Sequence, residues 1–173
     1  MTGGKPEVRK RAGESSSGKI VKRVWIRASR SVVYSALTQS RELVNWFCDR
    51  ASCDPREGGE LVAYWRSAGQ KGRAVITRMV PESALELVWV DDTKGVQEEN
   101  KHTLAYEIHS KSGLTELVMT DKDDSAPDQD AIATLDQGWN LVLTELRDYC
   151  EGKERSAKLR PRSQSGMRNP KAE

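Results

Sequence analysis

The sequence predicts an α+β domain: a curved antiparallel sheet of about six strands wrapped around one long C-terminal helix, with two short helices after the first strand. Three observations carry this. The middle of the chain alternates apolar and polar residues in short runs separated by turn residues, the period of a half-buried strand. Those runs follow one another without helical segments between them, so they form a meander and not βαβ units. Near the C-terminus one long run, Gln129–Glu151, has apolar residues at helical spacing and spans roughly 34 Å at 1.5 Å per residue.

The elements can be taken in order. Lys19–Ala28 (KIVKRVWIRA) alternates, with Val24, Ile26 and Ala28 on one face and Trp25 on the other, and forms the first strand. Ser29 or Ser31 caps a short helix through Thr38, and Ser40 caps a second one carrying Leu43, Val44, Trp46 and Phe47. Their hydroxyls accept from the free N–H groups of a helix's first turn. Asp54–Glu60 (DPREGGE) is turn chemistry, since Pro55 sets φ and Gly58-Gly59 permits positive φ. The strands Glu60–Arg66, Gly72–Met79, Ala84–Val90, His102–His109 and Leu114–Thr120 follow. Asp128 caps the last helix and Gly152 stops it.

On that helix Leu135, Trp139, Val142, Leu143, Leu146 and Tyr149 form one stripe. No other element is long enough to cross the sheet, so the stripe lies on the concave face. Gly138 interrupts it at a cost of about 1 kcal/mol relative to alanine. The expectation is that Gly138 lets backbone approach a strand closely while Trp139 fills the space beside it.

The 173 residues are the length of one domain with tails, and the net charge of +2 is unevenly placed. Residues 152–173 hold seven Lys/Arg against two Glu, and residues 1–18 hold four against two, which leaves −5 for residues 19–151. Both arms are Gly, Ser and charge without apolar periodicity, so 1–18 and 152–173 are expected to be disordered around a domain at 19–151. The basic tail, Lys153 to Lys171, reads first as a solubilising, disordered extension; the alternative is contact with nucleic acid, an acidic protein or an anionic membrane surface through counterion release and long-range attraction. It lacks interleaved aromatics, which argues against base stacking on a nucleic acid. No uncharged apolar run approaches the ~18 residues of a membrane span, and no signal peptide opens the chain. Cys48, Cys53 and Cys150 are an odd number, expected as free thiols. The expected location is the cytoplasm.

Four stretches, in this order, carry a family resemblance. VVYSALTQSRELVNWF (Val32–Phe47) is similar to a Val-Trp-x-Ala-Leu-Thr helix followed by a Leu-x-x-Trp helix. DPREGGEL is similar to an Asp-Pro-Arg-x-Gly-Gly turn, and GRAVITRMVPESALELVW to a Gly-x-Val strand, Pro turn and Leu-x-x-x-Trp strand. DQGWNLVLTELRDY resembles a Gly-Trp-x-x-x-Leu-x-x-Leu-x-x-Tyr closing helix. From about Ile20 to Glu151 the chain thus resembles the helix-grip superfamily of START-related and birch-pollen-allergen-related domains (SRPBCC). Within it, the chain is most similar to the branch of homologues of the Hsp-90 chaperone's ATPase activator. It departs from the pattern at Tyr34, at Asp121 (where His is frequent) and in the charged loop Asp91–Lys101. The resemblance implies a helix-grip fold. It further implies a cavity for a small ligand, a chaperone-partner module, or cyclase- or aromatase-like chemistry in the same cavity.

Strand parity selects the side chains that line such a cavity. Leu85, Leu87 and Trp89 share a face, with Glu86 outward; so do Leu104, Tyr106 and Ile108, with Glu107 and His109 opposite. Thr115, Leu117 and Met119 share another, Leu61 and Trp65 come from the Glu60–Arg66 strand, and the helix adds Trp139, Leu143 and Leu146. Apolar walls with Tyr106 and Thr115 as polar handles suit a small apolar or amphipathic ligand; the same residues also suit a filled core. Catalysis lacks a motif. His102 and His109 are seven apart on one strand and face opposite ways, and Cys48 and Cys53 have no His or Cys at zinc spacing. No Gly-x-Ser-x-Gly elbow, phosphate loop or dinucleotide fingerprint occurs. The reading is a ligand-binding domain with no predicted catalytic residue, metal or cofactor. A chaperone-partner module and a cyclase-like enzyme are its alternatives.

Overall fold

The computed structural model describes residues 18–90, 101–125 and 127–153. In chain order these form β1 (Gly18–Ile26), α1 (Arg30–Thr38), α2 (Ser40–Trp46), β2 (Arg50–Cys53), β3 (Glu60–Trp65) and β4 (Gln70–Val80). Then come β5 (Ala84–Trp89), β6 (His102–Lys111), β7 (Leu114–Asp123) and α3 (Gln129–Cys150). All seven strands join one antiparallel sheet in the order β1-β7-β6-β5-β4-β3-β2. Hairpins connect neighbours from β2 to β7, and β1 closes back beside β7, so β1 and β2 are the edges. The expected arms, apart from Gly18, Gly152 and Lys153, lie outside the described residues, as do residues 91–100 of the charged loop. Gly18 opens β1 instead of ending an arm.

The architecture is the α+β helix-grip arrangement expected, with one strand more. β2 pairs Ser52 with Val62 and Cys53 with Leu61 of β3. Its four residues alternate exposed Arg50 and Ser52 with half-buried Ala51 and Cys53, which pack on the core, but two small side chains are too short and weak a pattern to mark a strand. The turn after it works as its residues require. Gly58 takes φ +77°, and Gly58 and Gly59 exchange backbone hydrogen bonds with Ile76 of β4 at 2.8 Å.

Helix starts follow the caps in two of three cases. The Ser29 hydroxyl accepts from Val32 N at 3.3 Å, and Asp128 accepts from Ala131 N at 2.8 Å. Ser40 does not cap α2. Gln39 holds that position without a side-chain capping bond, and Ser40 Oγ instead accepts from Cys53 N at 2.9 Å, tying α2 to β2.

α3 buries Trp139, Val142, Leu143 and Leu146, as its stripe requires. Its first half is tied to β1 by Lys22–Asp136 at 2.7 Å. Its end is tied to α2, where the Tyr149 hydroxyl donates to Glu42 and accepts from Asn45 Nδ2 at 3.2 Å. The role expected of Gly138 is not found. A Cβ placed there meets nothing within 4 Å, so no strand presses against it and Trp139 alone fills the core beside the helix. The glycine that does permit close packing is Gly72 on β4. A Cβ there would sit 2.9 Å from Trp89 Cζ3 and 3.2 Å from Trp65 Cζ3.

Candidate functional site

The inward series of β7 does not stop at Met119. Two residues on, with the same parity, Asp121 points into the grip and is 1% exposed. The ladders set Asp121 opposite Leu104 of β6 and Ile20 of β1, both buried apolar residues. A carboxylate taken out of water there is unfavourable by several kcal/mol unless paired and hydrogen-bonded. Two groups meet it. His102, the inward residue that opens β6, holds Oδ1 through Nε2 at 2.7 Å, and Trp139 of α3 donates its indole N–H to Oδ2 at 2.5 Å. One buried charge thus joins two strands and the closing helix.

Electrostatics around it follow from burial and that charge. Burial by itself would lower the His102 pKa, but the hydrogen bond to Asp121 and the charges of Asp121 and Asp123 outweigh it, and the net shift is upward. Burial pushes the Tyr106 phenol well above its ordinary value, and the Asp121 charge adds to that. Tyr106 is therefore a neutral phenol across the ordinary pH range. Burial likewise raises the free thiols, Cys53 to about 11 and Cys150 to about 12, with Asp54 and Glu151 contributing. Both are protonated and poor nucleophiles at neutral pH.

Twelve of the fourteen side chains expected to line a cavity are buried: Leu61, Leu85, Leu87, Leu104, Tyr106, Ile108, Thr115, Leu117, Met119, Trp139, Leu143 and Leu146. Trp65 and Trp89 are half-buried. All but Thr115 belong to or pack against one hydrophobic cluster. The Thr115 hydroxyl donates to the Ala28 carbonyl at 2.6 Å, so its proton is committed to the backbone. Trp65 donates to the Phe47 carbonyl at 2.8 Å and meets the Phe47 ring edge-on at 5.2 Å.

Two depressions border this cluster. One, open and polar and of about 700 Å³, lies between the start of α1 and the β6–β7 turn, with Arg27, Ser29, Arg30 and Thr115 in its wall. The other, of about 150 Å³, lies between β1 and α3, floored by Val24 and Leu143 and rimmed by Lys22 and Arg147. Of the fourteen residues, Thr115 and Leu143 alone reach either.

Sequence reasoning missed Asp121 and His102 as a pair. Parity was a usable signal for Asp121, two residues beyond Met119, and for His102, two before Leu104. Their meeting with Trp139 depends on ladder register and helix placement, which no local pattern carries. His109 lies outward and exposed, 3.4 Å from Glu107. Among the described residues no three His, Cys, Asp or Glu side chains gather as a metal site, and no helix is long and apolar enough to cross a membrane.

Known structures share this arrangement. The Aha1 dimer from Colwellia psychrerythraea is similar at 19% identity with a TM-score of 0.70, over 79% of this chain and 98% of that one. CalU16 from Micromonospora echinospora is similar at 20% identity with a TM-score of 0.60, over 76% and 75%. DynU16, from the dynemicin biosynthetic locus, gives 20% and 0.66 over 79% of this chain and 48% of its own. At such identities the likeness speaks for the fold alone. No curated protein matches. The family model for Activator of Hsp90 ATPase homolog 1-like proteins matches residues 27–151, from the end of β1 through α3, and the chain belongs to that family.

Proposed function

We propose that the chain is a binding domain for a small apolar or amphipathic ligand, taken up between the concave sheet face and α3. The observation that supports this most is the Asp121 carboxylate buried between His102 and Trp139. A purely structural core gains little from it, because well-packed apolar residues in place of a buried ion pair are often neutral or stabilising. A few polar groups set among apolar walls are, in contrast, the composition of a ligand site. The groove between β1 and α3 offers the entry, with Leu143 in its floor. Its roughly 150 Å³ is below the ~300–1,000 Å³ of a drug-sized site. Uptake therefore requires α3 to move away from β1, and Lys22–Asp136 is the first tie to break. Native mass spectrometry of the protein purified from its own cells tests the reading. It predicts a bound small molecule at one per chain; bare chains in repeated preparations count against it.

A second reading, a docking module for a chaperone partner, draws on the family description and on one structural observation. Val21 and Trp25 on the outward face of β1 are 49% and 40% exposed. It predicts that the chain stimulates an Hsp90-type ATPase and that Trp25→Ala weakens the effect. No stimulation at saturating concentration would exclude it.

A further inference from the structure

We infer that the inward end of β5 is a subsite for a neutral hydrogen-bond acceptor, in which the Trp89 indole N–H donates to a ketone, ester, amide or ether oxygen of the ligand. This rests on the ligand-binding reading above and adds the chemistry of the ligand's polar group. Trp89 Nε1 is buried and has no acceptor among the described residues. Three other indoles of the chain are each satisfied: Trp46 by the Ala36 carbonyl at 2.9 Å, Trp65 by the Phe47 carbonyl at 2.8 Å and Trp139 by Asp121 at 2.5 Å. Buried donors are almost always paired, and one left over calls for an explanation.

Its position supplies one. Trp89 pairs with Ala74 of β4 on one side. On the other, the β5–β6 ladder ends at Val88–Thr103, so the inward residue that follows on β6 is His102. The Trp89 donor, the His102 imidazole and the Asp121 carboxylate therefore follow one another across β5, β6 and β7 at the same end of the concave face. His102 Nε2 is bonded to Asp121 and does not serve as acceptor for Trp89. Gly72 lets the Trp65 and Trp89 rings sit against the β4 backbone, which makes an apolar floor for the rest of the ligand. The carboxylate in the same row disfavours an anionic head, which leaves a neutral oxygen as the matching group.

A matched pair of probes tests this on the full chain: 2-acetylnaphthalene, which carries a carbonyl acceptor, and 2-ethylnaphthalene, which has the same shape without it. The wild type is expected to bind the acetyl probe about tenfold more tightly, as one hydrogen bond to an otherwise unpaired donor supplies. Trp89→Phe is expected to abolish that preference, so that both probes bind with equal affinity, whatever affinity the smaller ring costs them in common. In the wild type's proton–nitrogen spectrum, one of the five indole N–H signals is expected to move downfield with the acetyl probe and not with the ethyl probe. That readout stands even if the variant folds poorly. Equal affinity of the two probes, a preference that survives Trp89→Phe, or no differential indole shift overturns the subsite and leaves the ligand-binding reading intact. Failure of both probes to bind overturns the subsite, and the ligand-binding reading falls with it if a broad apolar and amphipathic set also fails to bind.

Discussion

Trp139 of α3 donates its indole N–H to the Asp121 carboxylate of β7 at 2.5 Å, and the same carboxylate holds His102 of β6 at 2.7 Å. The closing helix is therefore fixed to the sheet by a charged group as well as by its apolar stripe. Asp121→Ala leaves the imidazole and the indole unpaired in the interior and is expected to lower unfolding free energy by about 3–5 kcal/mol. Asp121→Asn keeps an acceptor for Trp139 and is expected to lose less. Urea unfolding of the two variants measures both, and an alanine variant as stable as wild type would show that the cluster does not hold the helix.

His102 gives the same contact a pH dependence. Its folded pKa lies above the ordinary 6.5 because the bond to Asp121 and the nearby carboxylate charges outweigh burial. Protonation is thus favoured in the folded chain, and its contribution is complete below the unfolded value and lost as pH rises through the folded one. Melting temperature should fall as pH is raised from about 6.5 through the folded pKa, and His102→Gln should flatten that slope. A wild-type slope of opposite sign in that window contradicts the assignment.

Gly138 offers an improvement. Because an added methyl meets nothing within 4 Å, Gly138→Ala is expected to gain up to ~1 kcal/mol from helix propensity alone. Thermal and chemical denaturation should agree on the sign. A destabilised alanine variant would mean that the helix is pressed against a neighbour there.

Much of the fold was legible because its strands bury one face, and burial of one face writes a period of two into residues such as Leu85, Leu87 and Trp89. The caps Ser29 and Asp128 were legible because a polar side chain next to a helical run has few other uses. β2 was not, since Arg50–Cys53 is only four residues long and turns just Ala51 and Cys53 toward the core. Gly138 misled because a glycine in a helix has the same local signature whether it permits close packing or faces open space. That most of the inward residues are buried was legible from strand parity. Which of them need partners, and which meet across the grip, depends on three separated elements coming together at Asp121.

The arms are expected to be dispensable for folding, since their composition offers no core contacts. A chain of residues 18–153 should melt within a few degrees of the full-length protein. A broad, much lower transition would show that an arm packs on the domain, and the exposed Trp25 would be the first place to look for it.

Ligand uptake beneath α3 is tested most directly by titrating the full chain with a broad set of apolar and amphipathic compounds while following tryptophan fluorescence and melting temperature together. Trp139 lies at the centre of the buried cluster and Trp89 at its edge, so occupancy should change the emission of both. The account predicts at least one compound with saturable one-site behaviour. It should raise the melting temperature, by about 2.7 kcal/mol of added stability at a hundredfold excess over Kd. Tyr106→Phe should weaken polar members of the set more than purely apolar ones. If no compound gives a saturable change in either signal, the grip is a filled core and the partner-docking reading takes its place.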